Sequence, residues 1–267
     1  MAYKLKKHLA HKSNYGSKRS LKNILYYVWH YTTNDGDSDE NNGKYFANNV
    51  VKASAHAFAD SDSITETVPD DYVAYAVGGG KYSNCRETGG GKLYGKCTNS
   101  NSLSLELCDD RRNGSVYPSE QTIENALLYT AKKMKKYGIT PDRVIRHFDV
   151  TGKPCPGYWC GTKEKDELWQ KLVIDRLDPP KYKVGDVITC LTERPVRKKP
   201  QRGSAIFKHT ELFKDGRNHD KDKDGRLDKG SKMRIKAIKR WPNGNIWVKI
   251  PCGGWVAVYY NGVVYAR

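Results

Sequence analysis

Residues 146–159 read Arg146-His147-Phe148-Asp149-Val150-Thr151-Gly152-Lys153-Pro154-Cys155-Pro156-Gly157-Tyr158-Trp159. A histidine, an aspartate, a lysine and a cysteine fall within nine residues, and prolines bracket the cysteine. Three readings compete: the rim of a metal site, one half of a disulfide, or an ordinary loop around a buried thiol. The stretch opens on Val144–Phe148, which has the pattern of a strand and puts His147 near a strand end. In α/β proteins, sites assemble at strand ends along one edge of the sheet.

Upstream, strands and helices alternate. Ile24–His30 (ILYYVWH) is a compact apolar run that predicts a central strand closed by His30. A helix is expected over Glu40–Asn49, short strands over Ser54–Asp60 and Ile64–Val68, and another over Ser102–Leu107, where serine alternates with leucine. Ser119–Tyr137 is the strongest helix pattern: Ile123, Ala126, Leu127, Thr130, Ala131 and Met134 share a face, and Gly138 is a natural C-cap. This interleaving predicts an α/β fold, a central mixed sheet flanked by helices. A last helical pattern, TKEKDELWQKLVIDRL, stops at Leu177-Asp178-Pro179-Pro180-Lys181. Beyond residue 183 short strands separated by turn signals (Asn243-Gly244, Gly253-Gly254, Asn261-Gly262) predict a small all-β barrel. The expected organisation is a domain over 1–178, a linker over 179–182 and a β module over 183–267.

Composition narrows the setting. The chain has 267 residues and a formal net charge of +17, of which +13 falls in residues 181–267 and +4 in 1–180. Charge concentrated in one module implies an anionic partner: nucleic acid, a membrane surface or an acidic wall polymer. No run of eighteen apolar residues exists, so no membrane-spanning helix is expected. The basic N-terminus lacks the apolar segment of a secretory signal, which predicts synthesis in the cytoplasm. Seven cysteines without such a signal argue against a disulfide framework, and the absence of a CxxC pair argues against a zinc ribbon.

Cys155 lies eight residues after His147, and Gly152 with two prolines allows the chain to turn back on itself. With His30 from the earlier strand, two histidines, one thiolate and an open position would make a catalytic zinc site. Hydrolysis of an amide at such a site needs a carboxylate to carry the proton and a cation to offset the oxyanion. Glu106, which interrupts SLSLELC, is the candidate for the first, and Lys153 for the second. Each signal has a plain alternative: core histidines, a buried thiol, a solvated lysine, a strand-edge glutamate.

The segments WHYTTNDGD, ASAHAFAD, NSNSLSLELCD and RHFDVTGKPCP resemble the zinc-dependent N-acetylmuramoyl-L-alanine amidases of the type-2 amidase and peptidoglycan-recognition superfamily. The likeness is greatest to endolysins of phages of clostridia and related Gram-positive bacteria, and covers residues 20–175. It implies cleavage of the amide between muramic acid and L-alanine in peptidoglycan, acting at the bacterial cell wall. Position by position it makes His30, His147 and Cys155 the zinc ligands, Glu106 the general base and Lys153 the basic residue near the metal. Some phage members carry a catalytic tyrosine just before the histidine matching His56; here that position is Ala55, leaving Glu106 as the acid/base. His56 is a candidate substrate contact or a hydrogen-bonded strand residue. Asp149 either orients His147 or caps the turn before Thr151. The glycine-rich stretches VGGGKYSNC and TGGGKLYGKC are expected as a flexible loop bordering the groove; they lack the helix context of a phosphate loop. A non-enzymatic peptidoglycan receptor on the same fold is the alternative.

The C-terminal module resembles a bacterial SH3-like wall-binding domain, chiefly through GNIWVKIPCGGWVAVYY. Two or three of Tyr182, Trp241, Trp247, Trp255, Tyr259 and Tyr260 are expected to face ligand, and the excess charge suits anionic wall polymers. No nucleic-acid recognition motif is present. Asp220-Lys221-Asp222-Lys223-Asp224-Gly225 has the start of a calcium loop, but Ser231 stands at position 12, which favours a charged hairpin.

Overall fold

In the computed structural model, residues 3–178, 180–241, 244–260 and 263–267 are described. Pro179 of the expected linker, Asn243, and the turn at Asn261-Gly262 lie outside the described residues. The chain divides into two compact units, residues 1–170 and 171–267. The expected linker, 179–182, follows the end of the helical run at Leu177.

The first unit is built on a six-stranded mixed sheet. Its strands are β1 (Lys4–Lys7), β3 (Tyr26–Asp35), β4 (Ala57–Ala59), β5 (Ser63–Glu66), β7 (Ser102–Asp109) and β8 (Val144–Arg146), in the order β1-β5-β4-β7-β3-β8. Only the β4–β5 pair is antiparallel. A two-stranded ribbon, β2 (Tyr15–Lys18) with β6 (Tyr72–Ala74), lies apart from this sheet. The helices are α1 (Asp39–Asn48), α2 (Cys85–Thr88), α3 (Glu120–Tyr137), α4 (His147–Thr151) and α5 (Lys163–Trp169), which continues through a π-helical stretch, Gln170–Ile174.

The apolar run at Ile24 does form the central strand, because β3 has neighbours on both sides and Tyr27, Val28, Trp29 and His30 are all buried. It also runs on to Asp35 through polar residues. Trp29 anchors the core: its indole donates to Thr130 Oγ1 of α3 at 3.1 Å, and its ring lies 5.7 Å from Trp169 and 6.1 Å from Trp159. Helix α3 starts where Ser119 caps the N–H of Thr122 and ends at Gly138 in the left-handed conformation. Its buried face is wider than the apolar pattern implied. Lys133 is buried against Asp70 (2.7 Å) and Glu66 (3.3 Å), while Ala131 is exposed.

One expected element differs in type. The strand over Val144–Phe148 ends at Arg146, and His147 and Phe148 open α4. Asp149, the third residue of α4, accepts from the Arg146 N–H at 2.8 Å and so turns the chain from strand into helix.

The second unit has its own core. Strands β9 (Val187–Thr189) and β12 (Lys232–Arg234) pair, as do β10 (Arg194–Pro195) and β11 (Arg226–Leu227). A four-stranded antiparallel meander follows: β13 (Ala237–Arg240), β14 (Ile246–Lys249), β15 (Trp255–Tyr260) and β16 (Val263–Val264). Short helices α6 (Asp175–Leu177) and α7 (Lys214–Asn218) complete the unit. One apolar cluster, including Ile188, Val196, Leu212, Ile235, Val248 and Val256, joins all three sheets. Of the six expected aromatics, Tyr182, Trp247 and Tyr259 are buried, and Trp241, Trp255 and Tyr260 reach the surface. In the acidic hairpin, Asp220 is buried and its carboxylate is taken up internally, by His209 at 2.9 Å and by the N–H groups of Asp224 and Gly225 at 3.0 Å.

Candidate active site

Strand register does most of the assembly. In the parallel β3–β7 pair His30 is level with Glu106, and in the β3–β8 pair Trp29 is level with Arg146, so the next residue, His147, comes alongside His30. The two imidazole centroids are 4.9 Å apart. The turn after α4 then returns Cys155. Gly152 takes φ +86°, and a Cβ there would sit 2.2 Å from Cys85 Sγ, so glycine is required for the return. Phe148 N–H donates to the Cys155 carbonyl at 3.0 Å and closes the loop.

His30, His147 and Cys155 are all buried, and one ligand atom of each lies within 4.8 Å of the others. Cys155 Sγ is 3.7 Å from His30 Nδ1. Among the described residues His30 Nε2 and both ring nitrogens of His147 are buried without a hydrogen-bond partner. Unsatisfied buried nitrogens beside a thiol are costly in a protein core unless something coordinates them. Burial, then the charges of His147 and Lys153, hold His30 well below the ordinary histidine range. Burial and Lys153 bring His147 down to about 4. Both rings are therefore neutral at physiological pH, with lone pairs free. Burial pushes the Cys155 thiol up, and Glu106 adds to the effect. Two neutral imidazoles and a thiol that a cation would ionise form a donor set suited to zinc.

The Glu106 carboxylate approaches His30 Nδ1 to 4.0 Å, and burial raises it to about 7 against the pull of Lys153. Its Oε2 is a further buried acceptor without a partner among the described residues. Two cavities open beside the group. One of about 820 Å³ is lined by Tyr31, Tyr45, Phe46, Phe58, Glu106 and Cys155, among others. The other, about 540 Å³, meets His147, Lys52, Asn99 and Gly78–Gly80. Lys153 and Tyr82 line both.

The structure does not bring His56 to either cavity. Its Nδ1 accepts from Ser104 N–H at 3.1 Å, and Nε2 lies 3.2 Å from the Tyr72 carbonyl and 2.8 Å from Arg19. Burial and the Arg19 charge hold it at about 3, so it is a neutral, fully used ring inside the fold. Asp149 likewise does not bond His147. Its two oxygens take Arg146 Nε at 3.0 Å and Nη2 at 2.8 Å, and Arg146 also reaches the Trp159 carbonyl and Asp166. This network, buried under the loop that carries both His147 and Cys155, has its only sequence signal in the arginine preceding the histidine. Of the glycine-rich stretches, the first lines the smaller cavity. The second packs under α4: Gly91 and Leu93 donate to the Phe148 and Asp149 carbonyls, and a Cβ on Gly90 would lie 2.8 Å from Gly152 Cα. All seven cysteines are free and buried, which removes the disulfide reading of Cys155.

The six-stranded mixed sheet thus carries this cluster on β3 and on the chain that follows the end of β8. The chain belongs to the N-acetylmuramoyl-L-alanine amidase family, whose model matches residues 20–158. It is similar to a probable N-acetylmuramoyl-L-alanine amidase of Bacillus licheniformis, 30% identical over 68% of this chain and 51% of that protein. It is also similar to the N-acetylmuramoyl-L-alanine amidase CwlA of Bacillus subtilis (strain 168), 31% identical over 72% of this chain and 67% of that protein. The chain thus spans about half the length of the first of these relatives. The solved structure of PlyL shares its fold, with a TM-score of 0.50 and 23% identity over 68% of this chain and all of PlyL.

Proposed function

We propose that this chain is a zinc-dependent peptidoglycan hydrolase that cleaves the amide between N-acetylmuramic acid and L-alanine. In this reading it is a phage or prophage endolysin of Gram-positive walls, with residues 1–178 as the catalytic domain and 183–267 as an SH3-like wall-binding domain. The observation that carries the catalytic part is the convergence of His30, His147 and Cys155 with orphaned ring nitrogens, level with Glu106 on the neighbouring strand. His30, His147 and Cys155 would hold zinc. When bound, the metal polarises the scissile carbonyl and lowers the pKa of water.

The chain's own groups do the rest. Glu106, held near 7 by burial, can accept the proton of the attacking water and deliver it to the leaving amine of L-alanine. Lys153 extends its ammonium beside both cavities and offsets the negative charge that develops on the carbonyl oxygen. The Arg146–Asp149 pair keeps the loop between His147 and Cys155 rigid. In the second unit, the excess of positive charge and the surface rings of Trp241, Trp255 and Tyr260 support a contact with anionic wall polymers, weakening as salt rises.

Digestion of purified Gram-positive walls, with and without chelator, tests the reading by mass spectrometry. New muramic acid carboxyl ends and L-alanine amino ends that vanish with chelator are expected. Binding to walls with no new ends would instead make the chain a receptor, and a different cleaved bond would overturn the assigned chemistry.

A further inference from the structure

The two cavities beside the site differ in charge. The smaller is lined by two ammonium groups, Lys52 and Lys153, and no carboxylate, whereas the larger sets Asp37 and Glu106 against the shared Lys153. Lys153 already has a place in the chemistry, which leaves Lys52 as a cation without an assigned task.

Its backbone is unusual. Lys52 sits at φ +56°, in the left-handed region that favours glycine. Asn14, completely buried, imposes this conformation. Its Oδ1 accepts from the N–H groups of Val51 at 2.8 Å and Lys52 at 3.0 Å, and its Nδ2 donates to the carbonyls of Phe46 at 2.8 Å and Asn49 at 2.7 Å. All four bonds run to the segment that leaves α1 and ends at Lys52. The Lys52 side chain is exposed, and no ion pair to it is found among the described residues. Strain held in place by a buried clamp at the lip of a cavity is typical of functional positions.

We propose that Lys52 is a specificity residue that pairs with a free carboxylate of the stem peptide, so that the smaller cavity takes the peptide side of the scissile bond. This rests on the amidase reading above. In a muramoyl peptide the lactyl carboxyl is consumed by the amide and the sugars are uncharged. The negative charge therefore lies on the peptide, and a lobe with cations and no acids suits that half of the substrate. The aromatic rings and the Asn and Asp side chains of the larger cavity then face the sugar.

Two probes separate the effect: muramoyl-L-alanyl-D-glutamate and its neutral counterpart in which both glutamate carboxyls are amidated, titrated calorimetrically against the whole chain. The wild-type chain is expected to bind the acid about tenfold more tightly than the amide. Lys52→Met and Lys52→Gly should bring that ratio close to one. Lys52→Gly also relieves the backbone, so its melting temperature should equal or exceed wild type, which separates lost recognition from lost folding. A wild-type ratio near one, or a wild-type ratio retained in Lys52→Gly, overturns the proposal. Bond cleavage is scored separately by mass spectrometry. It tests the amidase reading alone, because every titration, with Lys52 or its variants, is run in a Glu106→Gln background where the probes are not turned over.

Discussion

His30 and Glu106 stand level on adjacent parallel strands, imidazole Nδ1 to carboxylate Oε1 at 4.0 Å. The relationship joins a proposed metal ligand to the proposed acid/base group through backbone register, so neither has to be positioned by a flexible loop. Because Glu106 lies outside the His30, His147 and Cys155 set, the two functions are separable by mutation.

Glu106→Ala and Glu106→Gln should retain zinc and lose turnover. Removing a positioned general acid/base costs about 10²–10⁴-fold in kcat. Metal content by mass spectrometry and dye release from labelled walls check the two halves. Wild-type lysis by either variant would remove Glu106 from the mechanism.

Zinc should also stabilise the first unit, since the three groups proposed to hold it converge only in the fold. At a free metal concentration of 100 times Kd, linkage gives about 2.7 kcal/mol. For a unit of this size that corresponds to a fall of about 5–10 °C in melting temperature on chelation. His30→Ala should melt near the chelated wild type, and chelator should not lower it further. Scanning calorimetry with and without chelator measures both.

How much of this could be read from the sequence follows from where each signal lies. The run ILYYVWH announced a central strand because burial on both faces leaves nearly every residue bulky. The edge strand β1, KLKK, left no such mark. It sits at the end of the sheet with three of its four residues exposed, and Lys6 pairs with Glu40 at 2.9 Å. The spacing of His147 and Cys155 fits a return loop but left a metal site, a disulfide and a buried thiol open, and the family resemblance chose among them. The element between them was not legible, since the helix depends on Asp149 reaching back to the Arg146 N–H. His56 carries no local sign of its role. Its partners Arg19, Tyr72 and Ser104 lie 37, 16 and 48 residues away.

Arg146→Lys tests the buried network. A lysine cannot make the paired bonds to Asp149 while also reaching the Trp159 carbonyl and Asp166. Leaving the half-buried Asp149 carboxylate poorly paired should cost about 1–3 kcal/mol in denaturant unfolding. If the pair also holds His147 and Cys155 in place, zinc affinity should weaken about 10–100-fold, measured by chelator competition. A stability loss with unchanged zinc affinity would reduce Arg146 to a fold-only role.

Two acids, half-buried Asp70 and buried Asp60, set opposite slopes in the pH dependence of the first unit. Burial raises Asp70, but the charge and hydrogen bond of Lys133, with that of Tyr137, outweigh it and leave the group below the usual carboxylate value. Its contribution is present above the unfolded value of about 3.9 and is lost as pH falls through the lower folded one. Asp60 is pushed the other way, to about 7, by burial and then by the neighbouring Asp39 charge. Its contribution is complete below about 3.9 and is lost as pH rises through 7. For these two groups stability should therefore peak near pH 4, falling below it and declining progressively above it until the Asp60 contribution is gone at about pH 7. Denaturant unfolding across pH 2–9 measures the curve. In Asp70→Asn the acid limb should flatten and stability near pH 5 should drop by about 2–3 kcal/mol, because Lys133 keeps only Glu66. An unchanged acid limb in that variant would assign acid unfolding to other carboxylates.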